Sequence, residues 1–228
     1  MSTIAANIST LGERINAAAL AARRDPADIG LLAVSKTKPA GALREAYAAG
    51  LRDFGENYLQ EALGKQVELS DLPLIWHFIG PIQSNKTRAI AENFAWVHSV
   101  DRLKIAQRLS EQRPPELPPL NICIQVNVSG EASKSGCSPE DLPALAQAIS
   151  ALPHLKLRGL MAIPEPTDDR GQQNASFAAV STLQAQLGLP LDTLSMGMSH
   201  DLEAAIAQGA TWVRIGTALF GARDYGQP

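Results

Sequence analysis

The sequence predicts a (β/α)8 TIM barrel, in which eight parallel β-strands close on one another inside a ring of helices. Eight short β-rich segments follow an N-terminal helix, and their starts lie 19 to 38 residues apart, which leaves room for one crossover helix after each. Several segments are apolar almost throughout, as strands buried on both faces of a parallel sheet are. A doubly wound open sheet is the alternative, but no G-x-G-x-x-G follows the first strand.

The predicted elements are a lead-in helix and then alternating strands and helices. Apolar residues recur at three- and four-residue steps from Ile4 to Ala22, and Asp25-Pro26 stops the pattern, so residues 1–30 are expected to form a helix and a loop. The predicted strands are LLAVSK from residue 31, DFGE from 53, LIWHFIG from 74, WVHSV from 96, NICIQVNV from 121, LKLRGLMAI from 155, TLSMGM from 193 and WVRIGT from 212.

Turn-forming residues separate these elements. Gly50 and Gly209 stand where the C-caps of two helices would lie. The Pro-rich piece 114–119 is typical of a stiff loop, and PEPTDDRGQQ from residue 164 is typical of an exposed one. Because the β/α rhythm resumes after both loops, residues 1–228 are expected to form a single domain.

The composition argues against several classes of protein. The chain has 228 residues, 45% of them hydrophobic, and a formal charge of -3, without basic clusters interleaved with stacking aromatics, so a nucleic-acid surface is not expected. No apolar run approaches the length of a membrane span. The N-terminus lacks the features of a signal peptide, so a cytoplasmic protein is expected. Cys123 and Cys137 form no C-x-x-C and are expected to be reduced thiols.

Lys36 is the first candidate for chemistry, because active sites in such barrels lie at the carboxyl ends of the strands. It ends the first predicted strand with the same parity as Leu32 and Val34, and should therefore point into the barrel at its mouth. Apolar surroundings lower the pKa of a lysine, which is what a Schiff-base nucleophile requires. The alternative is a lysine at a strand end that extends its charge into water. Lys38 is expected in the loop beyond.

Polar and aromatic residues end the second and third predicted strands. Asn57 can place one directional hydrogen bond, and the aromatic and glycine residues in 76–81 can wall a flat ligand. The alternative for Trp76 and His77 is a core position with satisfied N–H groups. The four histidines lie in separate β/α units without ligand spacing, so no metal site is expected.

The ends of the last two strands predict a phosphate site. Barrel enzymes often bind phosphate with the loops after strands seven and eight and the N-terminus of a short helix, where free N–H groups favour an anion. Ser199 and Thr217 supply hydroxyls there, and Gly216 allows a close backbone approach. The alternative for Ser199 is an ordinary N-cap of the helix expected near 201–208.

Arg214 completes the candidate site. It shares the parity of Gly216 and should face the barrel axis, where a guanidinium is costly to bury unless it is paired. A lysine on the first strand, a phosphate site across the last two strands and an inward arginine together describe a holder for a phosphorylated aldehyde. Pyridoxal 5'-phosphate is the obvious candidate.

Seven segments carry a resemblance that covers nearly the whole chain in order. They are AVSKTKP (33–39), FGENYLQE (54–61), WHFIGPIQSNK (76–86), HSVD (98–101), GLMAIP (159–164), LSMGMSHD (194–201) and VRIGTALFGAR (213–223). Together they resemble the pyridoxal phosphate homeostasis protein family. The resemblance implies the barrel of the alanine racemase N-terminal domain (fold type III), with pyridoxal phosphate held as a Schiff base on Lys36.

The same resemblance implies roles for the other candidates. Ser199, Gly216 and Thr217 would hold the phosphate, Asn57 would lie beside the ring, and Arg214 would approach the pyridine nitrogen. A cation at that nitrogen disfavours its protonation, so the ring withdraws electrons less strongly and carbanion chemistry is limited.

Lys134 is a further candidate that the resemblance supplies. It lies in an S-K-S-G stretch after the fifth strand that also resembles the family, in which a second lysine is suspected of passing the cofactor on. A loop lysine that is simply solvated is the alternative.

Three functions are compatible with these residues. The first is a non-catalytic carrier that binds pyridoxal phosphate reversibly and supplies apo-enzymes that depend on it. The second is a small amino-acid racemase or decarboxylase, but the second domain that gives alanine racemase its tyrosine base is expected to be absent. The third is a sugar-phosphate isomerase or aldolase with a Schiff-base lysine. The carrier is favoured, without efficient catalysis, and a monomer is expected.

Overall fold

A computed structural model describes residues 3–129 and 135–221 of the chain. Eight parallel strands pair in sequential order, and β1 also pairs with β8, so the sheet closes into a barrel. The strands are β1 (Gly30–Val34), β2 (Asp53–Glu56), β3 (Ile75–Phe78), β4 (Trp96–Val100), β5 (Leu120–Gln125), β6 (Leu155–Met161), β7 (Thr193–Ser195) and β8 (Trp212–Ile215). The predicted (β/α)8 fold is confirmed, and each strand lies within or overlaps its predicted segment.

Helices surround the barrel. They are α1 (Ile4–Ala21), α2 (Ala40–Ala48), α3 (Leu59–Glu68), α4 (Thr87–Asn93), α5 (Leu103–Gln112), α6 (Leu142–Ser150), α7 (Arg170–Gln186), α8 (Leu202–Ala207) and α9 (Thr217–Phe220). Short 3-10 turns lie at Pro26–Asp28 and Ser84–Lys86. Gly50 and Gly209 follow α2 and α8 with positive φ, which confirms them as helix-ending residues.

The lead-in helix α1 joins the outer helical layer beside α8 and α9. Its N-cap Thr3 accepts a hydrogen bond from the Ala6 N–H, and Leu11 and Ile15 are buried against the core. The Arg24 guanidinium donates to the Ile206 and Ala210 carbonyls, which fixes the end of α1 to α8. The helix therefore braces the last β/α unit.

One loop is shorter than the sequence suggested. The exposed loop expected from residue 164 ends at Asp169, where α7 begins. The Asp169 carboxylate accepts hydrogen bonds from the Gly171 and Gln172 N–H groups, so it is an N-cap that the loop-like composition concealed. The Pro-rich piece before β5 is a loop, as predicted.

Successive side chains of β2 face alternately the interior of the barrel and the layer of helices around it. A Cβ on Gly55 would contact Leu32 and Ile79, so this residue faces the barrel interior. Its neighbours Phe54 and Glu56 are fully buried on the opposite face, beneath the helices. Residues of odd number on β2 therefore point inward, and this alternation carries Asn57 to the barrel mouth.

Both cysteines are free, as predicted, and both are buried. Burial raises the pKa of the Cys123 thiol to about 12 and that of Cys137 to about 11, so both stay protonated at neutral pH. Within residues 3–129 and 135–221, no helix is long and apolar enough to cross a membrane. The same ranges contain no group of three or more His, Cys, Asp or Glu side chains that could hold a metal ion.

The close packing of β6 against β7 gives a prediction about stability. Gly159 pairs with Thr193, and a Cβ added to Gly159 would lie 1.7 Å from the Thr193 carbonyl oxygen, which is fixed backbone. We expect Gly159→Ala to lower the free energy of unfolding by about 3 kcal/mol. Gly64→Ala in α3 is the control, because its added Cβ would meet no atom within 4 Å; it should stabilise the helix by about 0.5–1 kcal/mol. Urea unfolding that left Gly159→Ala as stable as wild type would contradict the packing.

Candidate functional site

A cavity of about 360 Å³ lies at the carboxyl ends of the strands. Its volume falls in the range of small-molecule sites, and its position is the one that barrels use for chemistry. Six residues predicted from the sequence line it, and they come from both ends of the chain: Lys36, Asn57, Ser199, Arg214, Gly216 and Thr217. The seventh candidate, Lys134, lies outside the described residues. The fold thus brings together every candidate that it describes.

The cavity also has lining residues that the sequence did not single out. Lys38 lies in the loop, as expected, yet its side chain lines the cavity beside Lys36. Ile79, Ile163 and Met198 form apolar parts of the wall. The expectation of an aromatic wall was wrong, because none of the aromatic residues in 76–81 lines the cavity, and Trp76 packs against Phe54 instead. The residue after β3 that lines the wall is the aliphatic Ile79.

Lys36 lies in a tight turn just past the end of β1, two residues later than the strand itself reaches. The Lys38 N–H donates to the Ser35 carbonyl at 3.0 Å and closes the turn. Thr37 adopts φ 64°, a left-handed conformation that costs a β-branched residue on the order of 1–3 kcal/mol. A strained turn of this kind persists only when its surroundings hold it.

A buried ion cluster supplies that support from behind the turn. The Lys65 ammonium on α3 donates to the Ser35 carbonyl at 2.7 Å, to Glu56 at 2.7 Å and to Glu61 at 2.5 Å. Glu56 Oε1 also accepts from the Ser35 hydroxyl at 2.6 Å, and Glu61 accepts from the Thr37 N–H at 2.6 Å. Both neighbours of Lys36 are therefore fixed by charged groups.

Glu56 is the most deeply buried member of this cluster. Its side chain is fully buried, and no residue in the described ranges pairs with Oε2. Burial raises the pKa of the Glu56 carboxyl, although the charge and hydrogen bond of Lys65 act in the opposite direction. This cluster could not be inferred from the sequence, since Glu61 and Lys65 at i,i+4 on α3 resemble an ordinary surface pair.

Asn57, which lines the cavity, carries an unsatisfied acceptor. Its Oδ1 is buried and has no hydrogen-bond partner among the described residues. A Cβ on Gly80 would lie 2.3 Å from the Asn57 carbonyl oxygen, so this glycine allows the two loops to pack closely. An orphaned buried amide oxygen is costly, and it marks a position where a ligand donor fits.

The loop after β7 places Ser199 at the cavity. Asp201 Oδ1 accepts from the Met198 N–H at 2.6 Å, and the Arg14 guanidinium on α1 donates to the Ser199 carbonyl at 3.1 Å and to Glu203 at 2.7 Å. The N-cap position of α8 is Asp201, so the alternative role of Ser199 as that N-cap was wrong. Its hydroxyl lies in a cavity-lining loop that is held from two sides.

Gly216 and Thr217 form the other half of the predicted phosphate site. They follow β8 directly, and Thr217 opens the short helix α9, as the sequence suggested. A Cβ on Gly216 would lie 3.3 Å from the Val34 carbonyl oxygen, which is tight but not prohibitive. Thr217 is exposed at the cavity rim, where its hydroxyl is accessible to a ligand.

Arg214 is buried and lines the floor of the cavity. Its Nη1 donates to the Ser195 carbonyl at 2.5 Å and to the Ser195 hydroxyl at 2.9 Å, and its Nη2 donates to the Ala162 carbonyl at 2.9 Å. Burial lowers the pKa of the guanidinium to about 10, so it remains a cation at neutral pH. The inward arginine that the sequence predicts thus donates hydrogen bonds to uncharged oxygens.

His77 is a core residue, as the alternative interpretation of the sequence held. It is fully buried, and its ring stacks on Trp96 with an interplanar angle of 4°. Its two nitrogens contact Asp53 and His98, so its hydrogen-bonding capacity is satisfied. The sequence placed His77 and His98 in separate units; the neighbouring strands β3 and β4 bring them together.

Comparisons with known proteins agree over nearly the entire chain. Residues 4–224 match the family model described as alanine racemase, N-terminal domain. A Pseudomonas aeruginosa protein named pyridoxal phosphate homeostasis protein is 78% identical over 100% of this chain and 99% of its own. The protein of the same name from Escherichia coli strain K12 is 53% identical over 99% of both chains.

Solved structures give the same result. PipY of Synechococcus elongatus, solved with PLP bound, matches with a TM-score of 0.85 and 42% identity over 96% of this chain and 100% of its own. Alanine racemase from Corynebacterium glutamicum shares the fold, with a TM-score of 0.67 and 17% identity over 96% of this chain and 63% of its own. The chain belongs to the pyridoxal phosphate homeostasis protein family, which is built on the barrel of the alanine racemase N-terminal domain.

Proposed function

We propose that this protein binds pyridoxal 5'-phosphate reversibly at the barrel mouth and acts in pyridoxal phosphate homeostasis as a carrier or regulator. The observation that carries the proposal is one cavity that combines an amine, an orphaned amide oxygen, a buried guanidinium and two hydroxyls. These belong to Lys36, Asn57, Arg214, Ser199 and Thr217. The names of the relatives and the PLP reported for PipY support it.

Lys36 would attach the cofactor. When bound, pyridoxal phosphate supplies an aldehyde carbon that condenses with a primary amine. The fixed turn holds Lys36 half-buried at the cavity, so the chain offers its amine from a defined position. Asn57 Oδ1 would accept a hydrogen bond from the ligand and so lose its unsatisfied state.

Arg214 would face the ring nitrogen and the loops after β7 and β8 would hold the phosphate. Three of the five N–H groups of the Arg214 guanidinium donate to Ser195 and Ala162, which leaves two for a ligand. A permanent cation beside the pyridine disfavours protonation of the ring, and this limits carbanion chemistry. A holder rather than an efficient enzyme is therefore favoured.

The racemase alternative requires a second acid–base group opposite the lysine. No tyrosine within residues 3–129 and 135–221 lines the cavity, and the relatives are named as homeostasis proteins rather than enzymes. The third candidate, a sugar-phosphate isomerase or aldolase, would use the same lysine and phosphate site without a cofactor.

Visible absorbance and transfer of the cofactor to an apo-enzyme distinguish the three candidate functions. Purified protein titrated with pyridoxal phosphate should develop a visible absorbance that borohydride removes, with the reduced label mapped by mass spectrometry to Lys36. Holo-protein should then transfer the cofactor to an apo pyridoxal phosphate enzyme while leaving L- and D-alanine unracemised. A colourless protein that retains no cofactor would overturn the proposal, and rapid racemisation would replace the carrier with an enzyme.

The phosphate half of the site gives a second prediction. Ser199→Ala combined with Thr217→Ala should weaken pyridoxal phosphate binding about tenfold to a hundredfold, because two hydroxyl donors to a phosphate are lost. Pyridoxal, which lacks the phosphate, is the matched control and should bind wild type and variant within about twofold of each other. Equal losses for both compounds in equilibrium titrations would place the hydroxyls elsewhere than at the phosphate.

The remaining partners are part of the same proposal. The recipients would be apo-enzymes that depend on pyridoxal phosphate, the protein would act as a monomer, and Lys134 would assist transfer or form a second site. Lys134→Ala should then slow transfer to an apo-enzyme without changing the absorbance of the cofactor bound at Lys36.

The proposed function also includes a cytoplasmic location, which the free thiols Cys123 and Cys137 support.

A further inference from the structure

A continuous hydrogen-bonded chain crosses the interior of the barrel beneath the cavity. Asp53 Oδ1 contacts His77 Nε2 at 2.9 Å, and His77 Nδ1 contacts His98 Nε2 at 2.9 Å. His98 Nδ1 contacts the Ser195 hydroxyl at 2.7 Å, and that hydroxyl accepts from Arg214 Nη1 at 2.9 Å. Five side chains from β2, β3, β4, β7 and β8 are thus joined end to end.

The two ends of this chain determine its direction. Arg214 can only donate, and the Asp53 carboxylate can only accept. The Ser195 hydroxyl therefore accepts from Arg214, which leaves its own proton for His98 Nδ1, although its second lone pair is also able to accept from that nitrogen. If the hydroxyl donates, a neutral His98 carries its proton on Nε2 and donates it to His77 Nδ1.

The contact between His77 and Asp53 agrees with donation from Arg214 toward Asp53. For neutral rings, it excludes donation in the opposite direction. With Nδ1 as acceptor, a neutral His77 carries its proton on Nε2 and donates it to Asp53. The opposite direction would leave a bare His77 Nε2 facing a carboxylate at 2.9 Å, two acceptors in contact. With neutral rings, every donor between Arg214 and Asp53 has an acceptor only when both histidines carry their proton on Nε2.

The surroundings hold both rings in this arrangement. His77 and His98 are fully buried, and both pack against Trp96, with ring centroids 5.4 and 5.7 Å away. Trp212 packs edge-on against His77 at 5.2 Å. The charged groups near His98 are Arg214 and, through His77, Asp53. Burial lowers the pKa of both histidines, in agreement with neutral rings.

We propose that Asp53, His77, His98 and Ser195 form a directed relay of positioning residues that orients Arg214 toward the ligand in the cavity. The relay holds Nη1 on the barrel wall, so that the remaining N–H groups of the guanidinium present a fixed face to the pyridine ring. The effect on the cofactor rests on the proposed function, whereas the relay itself does not.

The first test reads the protons directly, without added cofactor. Protein labelled with ¹⁵N-histidine should show His77 and His98 as neutral Nε2–H tautomers at neutral pH. His154→Gln and His200→Gln remove the two other histidine signals and so assign the spectrum. An Nδ1–H signature or a charged ring at neutral pH for either buried histidine would overturn the relay, whether or not the protein binds pyridoxal phosphate.

The second test compares two variants of similar size at position 98. Gln can donate to His77 and accept from Ser195, whereas Leu can do neither. Release of pyridoxal phosphate, followed by the decay of visible absorbance after dilution, should be about tenfold faster in His98→Leu and within about twofold of wild type in His98→Gln. Ser195→Ala, a smaller change, should accelerate release about fivefold.

These outcomes separate the relay from a merely structural role. If Gln and Leu at position 98 release the cofactor equally fast, packing alone accounts for the effect and the relay does not orient Arg214. If Ser195→Ala and His98→Leu both release at the wild-type rate, the coupling to Arg214 is wrong. A wild-type protein that takes up no pyridoxal phosphate overturns the proposed function, and the tautomer spectrum then decides the relay alone.

Discussion

Lys36→Ala is expected to abolish the visible absorbance of protein mixed with pyridoxal phosphate and to weaken retention of the cofactor by at least about a hundredfold. Lys38→Ala is expected to keep the absorbance. The two lysines line the same cavity and both lie past the end of β1, so they form a matched pair. Only their positions in the turn distinguish them.

The turn favours Lys36 for a physical reason. Its two neighbours are fixed, since Lys65 and Glu56 bind Ser35, and Glu61 binds the Thr37 N–H. A nucleophile held between two fixed residues loses little further freedom when it reacts. Absorbance titration and mass spectrometry after borohydride reduction measure the outcome. If Lys38→Ala abolished the absorbance and Lys36→Ala kept it, the attachment point would be Lys38 and the role given to the turn would be wrong.

The fold and much of the site follow from local pattern. Apolar strands at regular intervals predict the barrel, and the parity of Lys36 with Val34 and of Arg214 with Gly216 predicts which residues reach its mouth. Alternation accounts for Arg214, which lies within β8, whereas Lys36 lies in the turn beyond β1 and reaches the mouth because parallel strands share one carboxyl edge. The cavity unites them as expected.

The supporting contacts could not be predicted in this way. Lys65 and Glu61 belong to a helix, and nothing in their i,i+4 spacing reveals that they reach beneath the Lys36 turn. His77 and His98 lie 21 residues apart and meet because their strands are neighbours, while Ser195 reaches them across the barrel. Such contacts depend on three-dimensional distances between elements, which periodicity does not encode.

Lys65→Met is expected to lower the free energy of unfolding by about 3–5 kcal/mol at pH 8, because it leaves the buried Glu56 carboxylate without its cation. Lys65 is the shared partner of Glu56 and Glu61, and the Glu56 side chain is fully buried. Lys104→Met on the surface of α5 is the control and should change stability by less than about 0.5 kcal/mol. Urea unfolding measures both.

The loss should depend on pH in a definite direction. Burial raises the pKa of Glu56, and Lys65 opposes that rise, so the variant should have a still higher Glu56 pKa in the folded state. A raised folded-state pKa means that the folded protein binds the proton more tightly than the unfolded chain. Stability therefore falls as pH rises from the ordinary carboxyl range toward the raised value, and the gap between variant and wild type should shrink at pH 5.

A double variant distinguishes the loss of the Lys65 charge from the loss of Lys65 packing. Glu56→Gln in the Lys65→Met background removes the buried carboxylate while its amide oxygen can still accept from the Ser35 hydroxyl. Most of the stability at pH 8 should return, because the residual carboxylate, Glu61, is partly exposed. Lys65→Met should also weaken cofactor retention, because the Ser35 carbonyl loses the ammonium that holds the Lys36 turn, and the second substitution should restore retention less than stability. A stability loss that is the same at pH 5 and pH 8, and that the second substitution leaves unchanged, would show that Lys65 acts through packing and not through charge.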